Sequence, residues 1–322
     1  MFMKMNWCAC WQFVVGCVLT GTALVQAGEF TFQPEANGLA IKHGDQPVAT
    51  YFFRDERIAR PFFANVHTPG GIQVTRNHPP KSGVDPADHD NMHPGLWLAF
   101  GDINGQDYWR GPARVEHVRF VEEPKAEGGQ LTFAVENRYL AADGKTEVCR
   151  DTTRYRFRAF KSSSADLTGT VLLWDTKLDA TTQDLLFTSQ EEMGLGLRVA
   201  SPLRVKGGNA TIRNSMGGIN EKKTWGQTAT WWDYSGTSNE RQAGLMLVTS
   251  PANTFPSWGH TRDYGLIVAN PFPLPAKPPQ RTTIRKGEAL HLKYAILFHE
   301  SSAASPADPG AVASEILRLL SD

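Results

Sequence analysis

Apolar and polar residues alternate with a period of two along much of this chain, and that pattern confines it to sheet. Val115–Val121, Gln130–Leu140, Thr153–Arg158, Leu167–Trp174, Gly244–Thr249, Tyr264–Ala269 and Leu290–Phe298 all read this way. Successive side chains of a strand point to opposite faces, so the alternation marks strands half-buried against a core. Glu127-Gly128-Gly129, Ala142-Asp143-Gly144, Lys206-Gly207-Gly208-Asn209 and Arg285-Lys286-Gly287-Glu288 separate the runs as turns. Helical periodicity is convincing only at the end, where Asp308-Pro309-Gly310 starts a helix carrying Ile316, Leu317, Leu319 and Leu320. There is no repeat and no shift of composition. The simplest fold is all-β: one large antiparallel β-sandwich over residues 28–300, two sheets face to face, then a Ser/Ala/Pro-rich linker and a short C-terminal helix over 301–322.

Met1–Ala27 stands apart. Lys4 is the only charge before Glu29, an apolar stretch runs from Trp11 to Val25, and Val25-Gln26-Ala27 offers small residues for cleavage. This is a signal-peptide pattern, and it predicts an exported protein, periplasmic or secreted. A lipoprotein signal at Val14-Val15-Gly16-Cys17 is the weaker alternative, because the apolar run continues past Cys17. Cleavage leaves Cys149 alone of four cysteines, so no internal disulfide is expected and a packed core must stabilise the chain. Cys149 reads as a small buried side chain in a strand. Nine Trp exclude a disordered chain. The balance of 33 basic and 33 acidic residues gives no reason to expect a nucleic-acid partner. After the signal no apolar run reaches the ~18 residues of a membrane span.

Four segments could carry chemistry. His89–Arg110 opens as a loop with His89, Asp90 and His93, then enters the apolar run Leu96–Phe100. Imidazole beside carboxylate suits acid–base work near neutral pH. Pro94-Gly95 argue against a helix, so His89 and His93 need not converge on a metal, and they could equally cap turns. Asp102 and Asn104 fit a turn as well as a site. Ser257–Gly265 holds His260, Arg262 and Asp263: an Arg fork can hold hydroxyls or a carboxylate, and a His beside it can move a proton. Gln190–Arg198 brings Glu191 and Glu192 into a strand thinned by Gly194 and Gly196. By strand alternation only one of the two acids should face a given pocket. In Thr230–Tyr234, Trp231 and Asp233 share a side, and aromatic faces beside hydrogen-bonding groups suit sugar rings. The expected catalytic residues are His93, His260, Glu191 and Asp233; the expected substrate-binding residues are His89, Trp97, Asp102, Trp231, Arg262 and Asp263. His117, His291 and His299 read as structural strand residues. No phosphate loop, metal motif or nucleophile elbow occurs, so neither cofactor nor metal is expected.

The runs HPGLWLAFGDINGQDYWR (His93–Arg110), EEMGLGLRVASPL, WWDYSG and RDYGLIVANPF together resemble the bacterial PmoA-like family, labelled methane oxygenase PmoA-like, over most of the mature chain. The methane monooxygenase subunit of that name spans the membrane several times, which this chain cannot do. The family is similar to galactose-mutarotase-type β-supersandwiches, which bind sugars in a groove on a curved sheet and use a His and a carboxylate as acid–base pair. By role, the resemblance implies His93 or His260 as acid and Glu191, Glu192 or Asp233 as base. Many members have His-His-Arg-Gly before Leu-Trp; here it is Met92-His93-Pro94-Gly95. The expected function is that of an exported carbohydrate-active protein with a small carbohydrate as ligand. It would be an epimerase, lyase or hydrolase acting on a sugar or oxidised sugar, or else a non-catalytic carbohydrate-binding protein. A metal-dependent oxygenase is what the label alone would suggest. Both sugar readings require the four segments to line one hollow.

Overall fold

The structure is a computed structural model that describes residues 28–238 and 240–320, so the expected signal Met1–Ala27 lies outside the described residues. With strands numbered in chain order, the first sheet has eight: β1 (Phe30–Glu35), β2 (Gly38–His43), β3 (Gln46–Phe52), β4 (Phe62–Ala64), β5 (Leu96–Phe100), β11 (Met193–Arg198), β16 (Leu266–Asn270) and β15 (Trp258–Arg262), in that spatial order. The second also has eight: β12 (Thr211–Asn214), β13 (Trp231–Ser238), β14 (Arg241–Thr249), β18 (Ala289–Ser302), β9 (Leu167–Asp179), β8 (Glu147–Lys161), β7 (Gln130–Leu140) and β6 (Arg114–Glu127). A ribbon of β10 (Leu185–Thr188) and β17 (Arg281–Ile284) stands beside them. The strand pairings are antiparallel, as the alternation predicts. Among the described residues no helix is long and apolar enough to cross a membrane.

The main core fills the space between the sheets. From the first sheet come Tyr51, Phe63, Leu98, Leu195 and Ile267; from the second come Phe133, Tyr155, Trp174, Leu245 and Ile296. Tyr51, Phe63, Phe133, Tyr155 and Trp174 interlock at ring-centroid distances of 4.9–5.8 Å, the range of favourable tilted and edge contacts. Part of each sheet's other face is apolar too. The outer face of the second sheet is covered by α2 (Pro309–Leu319), whose Val312, Ala313 and Ile316 pack on Val171, Met246, Ala295 and Leu297. Asp308 caps that helix, its carboxylate accepting from the backbone N–H groups of Gly310 and Ala311. β18 continues to Ser302, beyond the boundary expected at residue 300, and the C-terminal helix is docked on the sandwich. The outer face of the first sheet carries Phe62, Ala64, Trp97, Ala99, Leu266 and Val268, with Ile58 and Trp109 of the connecting segments packed on it. β5, β11 and β16 are therefore buried on both faces.

One polar network is sealed inside the core. Asp151, 3% exposed, accepts at Oδ1 from Asn137 Nδ2 (2.9 Å) and Thr153 Oγ1 (2.9 Å). Burial pushes its carboxyl up to about 6, against the pull of those hydrogen bonds. Below the unfolded value near 3.8 both states are protonated; as pH rises, the unfolded carboxyl ionises first, and stability is lost until the folded one ionises near 6. The difference in unfolding free energy between wild type and Asp151→Asn should therefore shift by about 2 kcal/mol between pH 7 and pH 4, with wild type gaining on acidification. Urea titrations at the two pH values measure it, and a pH-independent difference would show that the folded Asp151 carboxyl titrates as it does in the unfolded chain.

Candidate functional site

Strand register places the central residues of the first sheet's outer face in one row. Trp97 pairs with Gly196, Gly196 with Val268 and Val268 with His260. The row crosses three strand spacings, about 14 Å at the backbone. Trp97 and Trp109 fill the space above Gly196: a Cβ there would lie 2.6 Å from the Trp97 ring and 3.1 Å from that of Trp109. Glycine at this position is what lets two indoles, in edge contact at 5.3 Å, pack down onto the strand.

Side chains from three distant segments close a ring around this floor. His93 Nε2 accepts from the Trp109 indole N–H at 3.2 Å. The next residue, Arg110, pairs with Glu192. Glu191, beside it, pairs with Arg262 at 2.8 Å. Two residues on, Tyr264 stacks on His89 with ring centroids 5.6 Å apart. His89 stacks in turn on His93 at 4.8 Å, and His93 on Trp97 at 5.1 Å. Glu221, from the short helix α1 (Asn220–Thr224), joins the rim through Arg262 at 3.2 Å, and the Arg262 guanidinium lies 5.9 Å from the Trp225 ring.

Buried arginines hold the histidine loop on the sheet. Arg76 donates to the backbone carbonyls of Asp88, His89 and His93. Arg198 grips both Asp88 oxygens, at 2.8 and 3.0 Å, and lies over the Tyr264 ring at 4.6 Å. Arg60 donates to the carbonyls of Met92, Tyr108 and Trp109. Burial pushes Arg60 down to about 9 and Arg76 to about 10, so both stay charged at neutral pH. Burial would raise the Asp88 carboxyl, but the hydrogen bond and charge of Arg198 outweigh it and hold it below its ordinary value. Asp88 then accepts from His89 Nδ1 at 3.1 Å, which leaves the lone pair on Nε2. His89 has φ +52, in the left-handed region where a non-glycine residue is uncommon.

The expected site residues divide. His89, His93, Trp97, Glu191, His260 and Arg262 meet on this face, with Asp263 at its rim, where its carboxylate accepts from Glu221 N–H at 2.9 Å. Glu191 and Glu192 both serve the ring, contrary to the alternation argument. They form a bend before β11 begins at Met193, so strand geometry does not govern them. The roles of the histidines also change. His93 is 1% and His260 2% exposed, whereas the His89 and Glu191 side chains are each 38% exposed. Burial, reinforced by the charges of Arg198, Arg60 and Arg76, drives His93 far below the usual imidazole range. Burial and the Arg262 charge drive His260 down to about 3. His260 is thus neutral, its Nδ1–H donating to the Glu191 carbonyl at 3.1 Å, and its 3.7 Å approach to the Glu191 carboxylate is no ion pair. His93 and His260 lie under the site and position it.

Three expected residues lie elsewhere. Asp102 caps a turn, accepting from Gly105 N–H at 2.7 Å. Trp231 and Asp233 are on the second sheet, where Trp231 packs against the α2 cluster and Asp233 pairs with His299 at 2.8 Å. Chain order gave no sign that WWDYSG belongs to the other sheet. Arg60, Arg76, Asp88, Glu221 and Trp225 were missed; they sit in aperiodic connections or in a one-turn helix, and only the tertiary fold shows them converging. Among the described residues no cluster of His, Cys, Asp or Glu could hold a metal.

A family model described as "Family of unknown function (DUF6807)" matches residues 38–312. The chain belongs to DUF6807. That match contains both sheets from β2 onward and every residue of the ring. No curated protein matches this DUF6807 chain in sequence at a significant level. By shape it is similar to the alpha-galactosidase from Lactobacillus brevis, at 10% identity and a TM-score of 0.37, covering 85% of this chain and 39% of that one. It is also similar to the GH36 alpha-galactosidase AgaA from Geobacillus stearothermophilus, at 10% identity and a TM-score of 0.32, covering 85% of this chain and 41% of that one. The chain thus spans about two fifths of the length of these enzymes.

Gly196→Ala should cost about 1–3 kcal/mol, because the displaced Trp97 ring has no free space, and should alter the near-UV circular dichroism of the Trp97–Trp109 pair. Unchanged stability and spectrum would mean that the floor is not packed as described. For His260, folded and unfolded states are both neutral above pH 6.5. Below it only the unfolded imidazole gains a proton, so stability falls as pH drops toward 3. His260→Gln should remove about 2 kcal/mol of that loss by pH 5, read as a flatter acid limb in chemical unfolding; identical limbs would contradict the neutral, buried imidazole.

Proposed function

We propose that this DUF6807 protein is an exported carbohydrate-active protein whose site is the ring on the outer face of the first sheet. The observation that carries the reading is the pairing of two accessible, oppositely equipped groups on that ring. His89 is oriented by Asp88, itself held by Arg198; Glu191 is held by Arg262. An imidazole with a free Nε2 and a carboxylate on one rim can give and take the protons that epimerisation, elimination or glycoside hydrolysis requires. Tyr264 and the partly exposed Trp225, 37% accessible, offer aromatic faces for the apolar side of a sugar ring. Arg110, Arg262 and Glu221 offer polar contacts for its edge. His89 takes the acid–base role expected of His93, and Trp225 the stacking role expected of Trp231. The signal-like segment Met1–Ala27 and the resemblance to PmoA-like proteins belong to the same reading, and both are consistent with work outside the cytoplasm.

The second reading, binding without catalysis, uses the same ring and is separated by its variants. On a panel of neutral and oxidised sugars, turnover should fall at least about 100-fold in His89→Ala and in Glu191→Gln, with sugar binding retained and with Asp102→Asn unaffected. Binding that depends on Trp225 with no turnover of any sugar would leave the non-catalytic form. Full turnover in both ring variants, or no sugar bound at all, would falsify the assignment.

A further inference from the structure

The outer face of the second sheet carries a separate cluster that the ring does not use. Asp233, His299 and Ser235 are 1%, 4% and 3% exposed. Ser235 Oγ donates to Asp233 Oδ2 at 2.6 Å, and His299 Nε2 lies 2.8 Å from Asp233 Oδ1. Ser235 is fixed by Gln242, whose Nε2 donates to its Oγ at 3.1 Å. Glycine at 244 permits this close packing: a Cβ there would lie 2.5 Å from that of Ser235. Because the carboxylate only accepts, Nε2 carries the imidazole proton and Nδ1 carries the lone pair. That Nδ1 is buried without a partner, and so is Ser301 Oγ, two residues along the same strand and hence on the same face. Buried polar atoms without partners are uncommon in native proteins and ask for an explanation.

A cavity of about 190 Å³ lies against both residues. Arg213 adds a donor to its wall, and Met246, Pro306 and Val312 supply apolar surface. A single water needs only about 10–15 Å³ of such space, so the cavity holds far more than one. We propose that it is a second binding site, for a small polyhydroxylated molecule of monosaccharide or polyol size. One ligand hydroxyl donates to His299 Nδ1, another bonds Ser301 Oγ, and the carbon skeleton lies on the apolar wall. A hydroxyl suits both positions because it donates and accepts; a carboxylate would meet the His299 lone pair with one of its own. Asp233 is thereby placed at a site on the face opposite the ring, and this site stands whether or not the ring binds sugar.

The test uses the full protein with ¹⁵N-labelled histidine. D-glucose, D-xylose, myo-inositol and glycerol are titrated one at a time while the His299 ring nitrogens are followed by long-range ¹H–¹⁵N correlation. The free protein should show the Nε2–H tautomer, and at least one probe should shift Nδ1 saturably. Ser301→Ala should weaken that binding about tenfold without lowering the melting temperature, since its Oγ bonds nothing in the fold. Ala307→Trp, which fills the cavity, should abolish it, while Glu191→Gln in the ring should leave it intact. An Nδ1–H tautomer, no shift with any probe, or a shift that survives Ala307→Trp would overturn the proposal.

Discussion

The central strands of the first sheet are apolar on both faces, and the sheet packs on one partner sheet. Its inner face packs against the second sheet; its outer face must be covered by the chain's own connections. Burying apolar surface drives both contacts at about 25 cal/mol per Å², so the segments between β3 and β5 and after β5 are drawn onto the outer face. The candidate site is a consequence. His89, His93, Trp109 and Arg110 arrive on segments that cover Trp97, Ala99, Leu266 and Val268, and the site's rim is the edge of that covering layer.

Covering a sheet with irregular chain creates a second demand, because aperiodic backbone has carbonyls with no ladder to join. Arg60, Arg76 and Arg198 meet it. They are 3%, 1% and 1% exposed, and Arg60 and Arg76 donate to carbonyls of Asp88, His89, Met92, His93, Tyr108 and Trp109. Burying a guanidinium is costly unless its donors find acceptors, and five donors in a fixed fork let one side chain satisfy several carbonyls at once. The consequence for function is rigidity. His89 sits on a loop, yet that loop is held to the sheet by two buried cations, as a catalytic or binding group requires if it is to keep its geometry.

These forces also explain how far the sequence could be read. β7 coincides with the alternating run Gln130–Leu140, and α2 follows its Asp308 cap, because local period and local capping set both. Beyond one element, legibility stops. His93 and His89 are four residues apart and chemically alike in sequence; only the depth at which each is packed separates a buried neutral ring from an accessible one. The arginines that hold them, at 60, 76 and 198, have no spacing to announce them. Trp231 and Asp233 show the limit most sharply. Their shared face was readable from alternation, but which sheet β13 would join was not, since β13 and β15 are both short, aromatic and rich in polar residues.

Two Asp–His pairs on opposite faces show how environment sets role when composition does not. In the first, Asp88 is partly exposed and tied to Arg198, so its charge is balanced by a fixed cation and its His89 meets solvent. In the second, Asp233 is buried and held by a hydroxyl and an imidazole. Among the described residues no arginine forms an ion pair with it, although Arg213 is its cross-strand neighbour and lines the same cavity. The first geometry leaves the His89 imidazole within reach of solvent and ligand. The second holds its carboxylate, hydroxyl and imidazole in one fixed arrangement beside the C-terminal helix. The sandwich thus leaves an imidazole and a carboxylate accessible where loops cover it, and encloses a similar pair where a helix does.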